Sequence, residues 1–171
     1  MPRIGLISDS HGRAKTTRQA VARLIEHEVE LLLHLGDVGS YEVIDALAVN
    51  HPHQDNQIEA RLVFGNTDWD IADMTHYARG LGIQVDHPAG NLQWGDTKLV
   101  YCHGHQQHII NKAIQGNVHY LCHGHTHIAS DITEDNTRII NPGALFRARF
   151  YSVALLDTEH DNLIFFTLTQ N

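Results

Sequence analysis

Short apolar runs, each stopped by a glycine and a polar residue, set the rhythm of the first half of the chain. RIGLIS (3–8) is such a run and predicts a buried strand, broken by DSHGR. The following AKTTRQAVARLIEHE places Ala14, Arg18, Val21, Ala22, Leu24 and Ile25 at approximate helical spacing. VELLLHL (29–35) predicts a second buried strand, stopped by Gly36-Asp37. SYEVIDALAVN (40–50) reads as a helix, with Ser40 as N-cap and Glu42 in the first turn. HPHQDNQIEA is a polar loop, and ARLVFG (60–65) is a third strand, stopped by Gly65-Asn66. Strand, helix, strand, helix, strand in this order predicts parallel strands with helices on the faces of the sheet.

The second half changes character. NLQWG and TKLVYC read as strands around a Gly95-Asp96 turn, and QQHIINKAIQ as a short helix. VHYLC, IASDI, TRIIN and YSVALLD…NLIFFTL read as further strands joined by tight turns. The expected fold class is therefore α/β, with a mixed sheet or two packed sheets flanked by helices. The expected organisation is one domain over residues 1–171.

The polar residues that end these runs share a chemistry. The first strand delivers Asp9 and His11, the second Asp37 and the third Asn66. TKLVYC delivers His103, and VHYLC delivers His125 and His127. In open α/β sheets, ligands bind beyond the carboxyl ends of the strands. Seven candidate metal ligands thus converge on one edge. That is too many for one tetrahedral zinc, and it suits two divalent ions sharing a carboxylate. Carboxylate, amide and imidazole together favour manganese, iron, zinc or nickel over magnesium or calcium alone.

Composition sharpens this reading. Fifteen histidines in 171 residues are the one strong anomaly, and histidine is the commonest protein metal ligand. A net charge of −8 argues against a stable nucleic-acid complex, which needs a basic face. No apolar run reaches the length of a membrane span, and the polar start of the chain does not read as a signal peptide. Two cysteines form no disulfide framework, so a cytoplasmic location is the default expectation. Cys102 and Cys122 directly precede the histidine motifs; strand alternation should turn them into the core rather than toward a structural zinc.

The ordered series Asp9-x-His11, Gly36-Asp37, Gly65-Asn66, His103-Gly104-His105 and Gly124-His125-Thr126-His127 resembles the calcineurin-like metallophosphoesterases. Ile140-Asn141-Pro142-Gly143-Ala144, with Arg149 after it, is similar to a segment of the family's small bacterial and archaeal members. The resemblance implies an α/β/β/α sandwich with two metals in its cleft. It assigns Asp9, His11 and His127 to the first ion, Asp37 to the bridge, and Asn66, His103 and His125 to the second. A water or hydroxide shared by the ions would be the nucleophile, attacking phosphorus in line. Two divalent ions outweigh Asp9, Asp37 and a hydroxide by a formal charge of about +1, so an acidic protein can still attract a small phosphoester.

The sequence departs from the fuller family pattern at one position. Many members follow the Gly-Asn with a histidine that protonates the leaving group; here Thr67 stands there. A threonine hydroxyl is no acid near neutral pH, and a general acid typically contributes about 10²–10⁴-fold. A phosphodiesterase preferring good leaving groups is the expectation, with His105 as a substitute acid. The alternatives are a phosphomonoesterase or protein phosphatase on the same site, or a non-catalytic protein-binding scaffold on the same fold. His34 reads as a satisfied core imidazole or as an outer partner of a metal ligand, and His123 as structural. Asp68 is a loop-orienting residue or a helix N-cap. Arg147 and Arg149 are a solvated pair or phosphate contacts.

Overall fold

A computed structural model describes residues 1–169. Its elements in order are β1 (Arg3–Ile7), α1 (Ala14–Ile25), β2 (Leu31–Leu35), α2 (Tyr41–Asp45), β3 (Glu59–Val63), α3 (Ile71–Gly80) and β4 (Gln84–Val85). There follow β5 (Ala89–Trp94), β6 (Thr97–Cys102), α4 (Gln107–Gln115), β7 (Tyr120–Cys122), β8 (Ser130–Glu134), β9 (Thr137–Asn141), β10 (Tyr151–Asp157) and β11 (Asn162–Leu168). They make two mixed sheets, ordered β11-β10-β1-β2-β3-β4 and β5-β6-β7-β9-β8. The fold class is α/β, two packed sheets flanked by helices.

Three apolar layers follow from strand alternation. Ile4, Leu6, Leu31, Leu33, Leu35 and Val63 face Leu99, Tyr101, Tyr120, Cys122 and Ile140 of the other sheet. On the opposite face of the first sheet, Ile7, Leu32 and Leu62 pack with Val21, Leu24, Val43, Ile44, Met74 and Ala78 of the helices. α4 covers Val100, Cys102, Leu121 and Ile139 of the second sheet through Ala113. The two cysteines therefore enter different cores, Cys122 between the sheets and Cys102 under α4. Both are free, and burial pushes both thiols up, Cys102 to about 11.

Register places the polar loops together. β1 and β2 are parallel with Ile7 beside His34, and β2 and β3 are parallel with Leu35 beside Val63. In the second sheet β6 and β7 are parallel with Tyr101 beside Cys122. The segments after all five strands leave at one edge, as the sequence predicts.

Two details differ. The helix expected over 40–50 is regular only over Tyr41–Asp45, and Ser40 makes no side-chain capping bond. The chain tightens through Leu47 N→Ile44 O and Ala48 N→Asp45 O to reach the bridge between Asn50 and Gln57. α3 has no counterpart in the sequence reading. It buries only Met74 and Ala78, so its apolar stripe is one residue wide.

His34 is fully buried on β2. Gly36 N–H donates to its Nδ1 (3.3 Å), so Nε2 carries the proton toward Ser10 Oγ (2.8 Å). It is a satisfied core imidazole. Burial, then the nearby His103, pushes its pKa from 6.5 to about 3. The unfolded chain takes up a proton there that the folded chain refuses. The contribution is intact above pH 6.5 and is lost as pH falls toward 3, by up to about 1.4 kcal/mol per unit. Urea midpoints of the metal-free protein should fall across that window, and His34→Gln should flatten the fall. An equally steep fall in the variant would assign it to other groups.

Candidate metal centre

Five of the seven proposed ligands sit on backbone that side chains normally avoid. Asp9 (φ 54°), His11 (φ 43°), Asp37 (φ 53°), His125 (φ 71°) and His127 (φ 59°) are all left-handed. Such residues cost about 1–3 kcal/mol each and cluster where function requires them. The reversal lets two side chains separated by one residue, as in Asp9/His11 and His125/His127, point into the same space.

Hydrogen bonds hold the loops in that shape. Asp9 N donates to Gly36 O (3.0 Å), His11 N to Asp37 O (2.9 Å), and Gly124 N to His103 O (2.9 Å). Asp68 is buried and accepts from Val38 N (3.1 Å), Gly39 N (2.8 Å) and Gly65 N (2.9 Å). Its carboxylate thus ties the Asp37 loop to the Asn66 loop; orienting the loops is its role, not capping α3. Asn141 closes the far side, donating through Nδ2 to Gly124 O (2.9 Å) and Thr126 Oγ1 (3.0 Å). Two motif glycines are set by space. A Cβ at Gly65 would stand 2.0 Å from Asp37 Oδ1, and one at Gly124 1.8 Å from Ser8 Oγ.

The side chains converge as two groups. Ligand atoms of Asp9, His11 and His127 lie within 4.8 Å of one another, as do those of Asp9, Asp37 and His103. His127 Nε2 is 3.1 Å from Asp9 Oδ1, and His11 Nε2 is 4.0 Å from it. Asp37 Oδ2 lies 3.4 Å from His11 Nε2 and 3.4 Å from His103 Nε2, between one imidazole of each assigned set. Asn66 Oδ1 is 3.1 Å from His103 Nε2. His125 is exposed and joins through its ring, 5.1 Å from that of His103.

The donor set fits cations. His103 Nδ1 donates to Leu35 O (2.9 Å), which turns Nε2 toward Asp37 and Asn66; in the neutral ring that nitrogen offers a lone pair. Asp9 Oδ2 accepts from Ser8 Oγ (2.6 Å) and His125 N (3.0 Å), while Oδ1 is buried without a partner. His11 Nε2 is likewise buried and unpartnered. Buried acceptors that face one another without a shared donor are the arrangement a metal ion satisfies.

Electrostatics agree. Burial works to raise the Asp37 carboxyl, but His103 and the Thr67 N–H (3.0 Å) hold it well below the usual range. Burial disfavours charge on His103, yet Asp37 outweighs it and the net direction is upward. Burial pushes His11 down. His105 lies near the group, its ring tilted at 5.4 Å from His103 and 6.1 Å from His125. Burial first, then those two imidazoles, pushes His105 down.

The profile of the calcineurin-like phosphoesterase superfamily domain matches residues 2–161. The chain belongs to that superfamily. It is 24% identical over 163 residues to a phosphodiesterase of Methanocaldococcus jannaschii, covering 92% of this chain and 93% of that one. It is 29% identical over 168 residues to a probable metallophosphoesterase of Bacillus subtilis, covering 91% and 84%. Among solved structures, an archaeal phosphodiesterase superposes with a TM-score of 0.85 at 24% identity, covering 97% of this chain and 99% of that one. Vps29 of Entamoeba histolytica, solved with Zn²⁺, superposes at 0.68 and 19%, covering 98% and 93%. Membership makes the chain a metal-using hydrolase of phosphoric esters.

Sequence reasoning missed Ser8 and gave Asn141 no role. Ser8 looked like the last residue of a strand, and only its contact with Asp9 gives it a part. Asp68→Ala would strip three backbone N–H groups of their acceptor. Manganese affinity measured by calorimetry should fall about 10–100-fold, with a lowered unfolding midpoint. Unchanged affinity in a folded variant would remove Asp68 from the support of the site.

Proposed function

We propose that the chain is a phosphodiesterase dependent on two divalent cations, manganese foremost, with iron, zinc or nickel as substitutes. Its whole length works as one catalytic domain, and its substrate is a small phosphodiester. The observation that carries this reading is Asp37 Oδ2, equally distant from His11 Nε2 and His103 Nε2. Asp9, His11 and His127 would hold one cation, and Asn66, His103 and His125 the other, with Asp37 between. When bound, the pair lowers the pKa of water and neutralises phosphate oxygens.

The chain's own groups do the rest. The Thr67 N–H holds the Asp37 carboxylate (3.0 Å), so it acts as a fixed anion. Leu35 O fixes the His103 ring through Nδ1, which keeps Nε2 aimed inward. Water adds to phosphorus as the bond to the opposite oxygen breaks, and that oxygen leaves with a proton. Thr67 is exposed and uses its backbone N–H to hold Asp37; it supplies no acid. His105 is the side chain beside the site that can protonate a leaving oxygen. Burial and neighbouring imidazoles lower its pKa, so its share is greatest in acid solution and fades as pH rises through that lowered value.

With added manganese, bis-p-nitrophenyl phosphate should be hydrolysed faster than p-nitrophenyl phosphate. Asp37→Asn should cut the diester rate by about 10² or more. Preference for the monoester would overturn the substrate class, and full activity in Asp37→Asn would overturn the bridge. His105→Gln should slow alkyl diesters far more than nitrophenyl diesters, and chiefly at acid pH. Equal slowing of both at every pH would deny His105 the acid role.

A further inference from the structure

The segment 142–150 reaches the metal-ligand rim at Leu145, whose N–H donates to Asp9 O (3.2 Å). That bond brings Phe146 against His11, with ring centroids 4.9 Å apart. Two guanidiniums rest on the same Phe146 ring, Arg13 Cζ at 4.9 Å and Arg147 Cζ at 5.0 Å from its centroid. Both cations are therefore within two ring-contact lengths of a proposed metal ligand, and both residues are exposed.

These two arginines differ from others in the chain. With 20 acidic residues against 12 basic ones, carboxylates are plentiful, and Arg3, Arg23, Arg61 and Arg138 pair with them. Among the described residues, neither Arg13 nor Arg147 has a carboxylate partner within ion-pair distance. Neither is placed for stability. Arg13 precedes α1, where the helix dipole disfavours a cation and the first turn holds no acid. Arg147 adopts a left-handed φ of 46°, a strained backbone for a long side chain. Two like charges on one ring repel each other. A guanidinium stacked on an aromatic face keeps its in-plane N–H donors free, in the geometry that matches phosphate.

We propose that Arg13 and Arg147, held on Phe146, bind a second phosphate of the substrate, adjacent along the substrate to the phosphate under attack. The preferred substrate is then a small phosphodiester that carries a further phosphate, not a simple uncharged-ended diester. This rests on the phosphodiesterase reading of the adjoining centre. Phe146 is a positioning residue: its ring is already in contact with His11 and both guanidiniums, so the cluster offers a ligand N–H donors, not a stacking face.

The test is calorimetry on the full-length, manganese-loaded protein with thymidine 3′,5′-bisphosphate and thymidine 5′-monophosphate. The wild type should bind the bisphosphate at least about tenfold more tightly, the worth of one charge-assisted hydrogen bond. In R13Q/R147Q that ratio should fall to about one. Phe146→Leu should lower the ratio, and Phe146→Tyr should restore it. If the double variant unfolds, Arg147→Gln alone, at an exposed position, should still lower the ratio. A wild type that does not discriminate, or a ratio unchanged in the variants, overturns the proposal. Turnover of bis-p-nitrophenyl phosphate reads the other assignment separately: no turnover with an intact ratio sinks the phosphodiesterase and leaves the subsite.

Discussion

Two buried carboxylates and several imidazole lone pairs are pressed into one small volume, and the molecule is built to keep them there. Left alone, Asp9 Oδ1 and His11 Nε2 have no hydrogen-bond partner, and an unsatisfied buried acceptor costs about 1–3 kcal/mol, more when charged. The left-handed backbone at Asp9, His11, Asp37, His125 and His127 adds to that cost. Half of the non-glycine residues with such backbone, among the described residues, are these proposed ligands. Local structure thus opposes the site, and binding of cations would compensate. The two sheets supply the rigidity: β1, β2 and β3 in parallel register, and β6 beside β7, fix five loop origins before any ligand arrives.

The loops are locked to one another more than to the sheets. Asp68 gathers three N–H groups from two loops, Asn141 pins the Gly124 and Thr126 turn, and Leu145 N–H holds Asp9 O. A family whose centre is carried on loops needs such ties, because a small displacement of one ligand releases the ion it shares. The same ties explain why Gly65 and Gly124 recur beside ligands: each marks a place where a neighbouring loop comes within bonding distance of the backbone. Vps29 shares the fold at 19% identity, and a fold alone does not prescribe a function. The residues carried on it decide that.

Much of this was legible in the sequence. Buried strands ending in Asp9, Asp37 and Asn66 announced themselves by apolar runs cut short at glycine, and parallel order put their ends together. The candidate ligands could be picked out because each is a metal-binding residue type just past a strand end. What stayed hidden depended on contacts distant in sequence. Ser8 looks like the end of a strand until its hydroxyl is seen on Asp9. Phe146 lies in a segment without periodicity, and its meeting with His11 requires the whole β9-to-β10 connection to fold back. α3 buries one narrow stripe, Met74 and Ala78, too little to stand out from the surrounding polar residues. The second half of the 40–50 helix failed because a bridge at Asn50 and Gln57 overrides local propensity.

The proposed function requires that these acceptors surround a pair of ions. Anomalous diffraction from crystals grown with manganese addresses it directly. Two peaks about 3.5–4 Å apart, one on each side of the Asp37 carboxylate, are the expected result. A single peak, or none within reach of both His11 and His103, would contradict it.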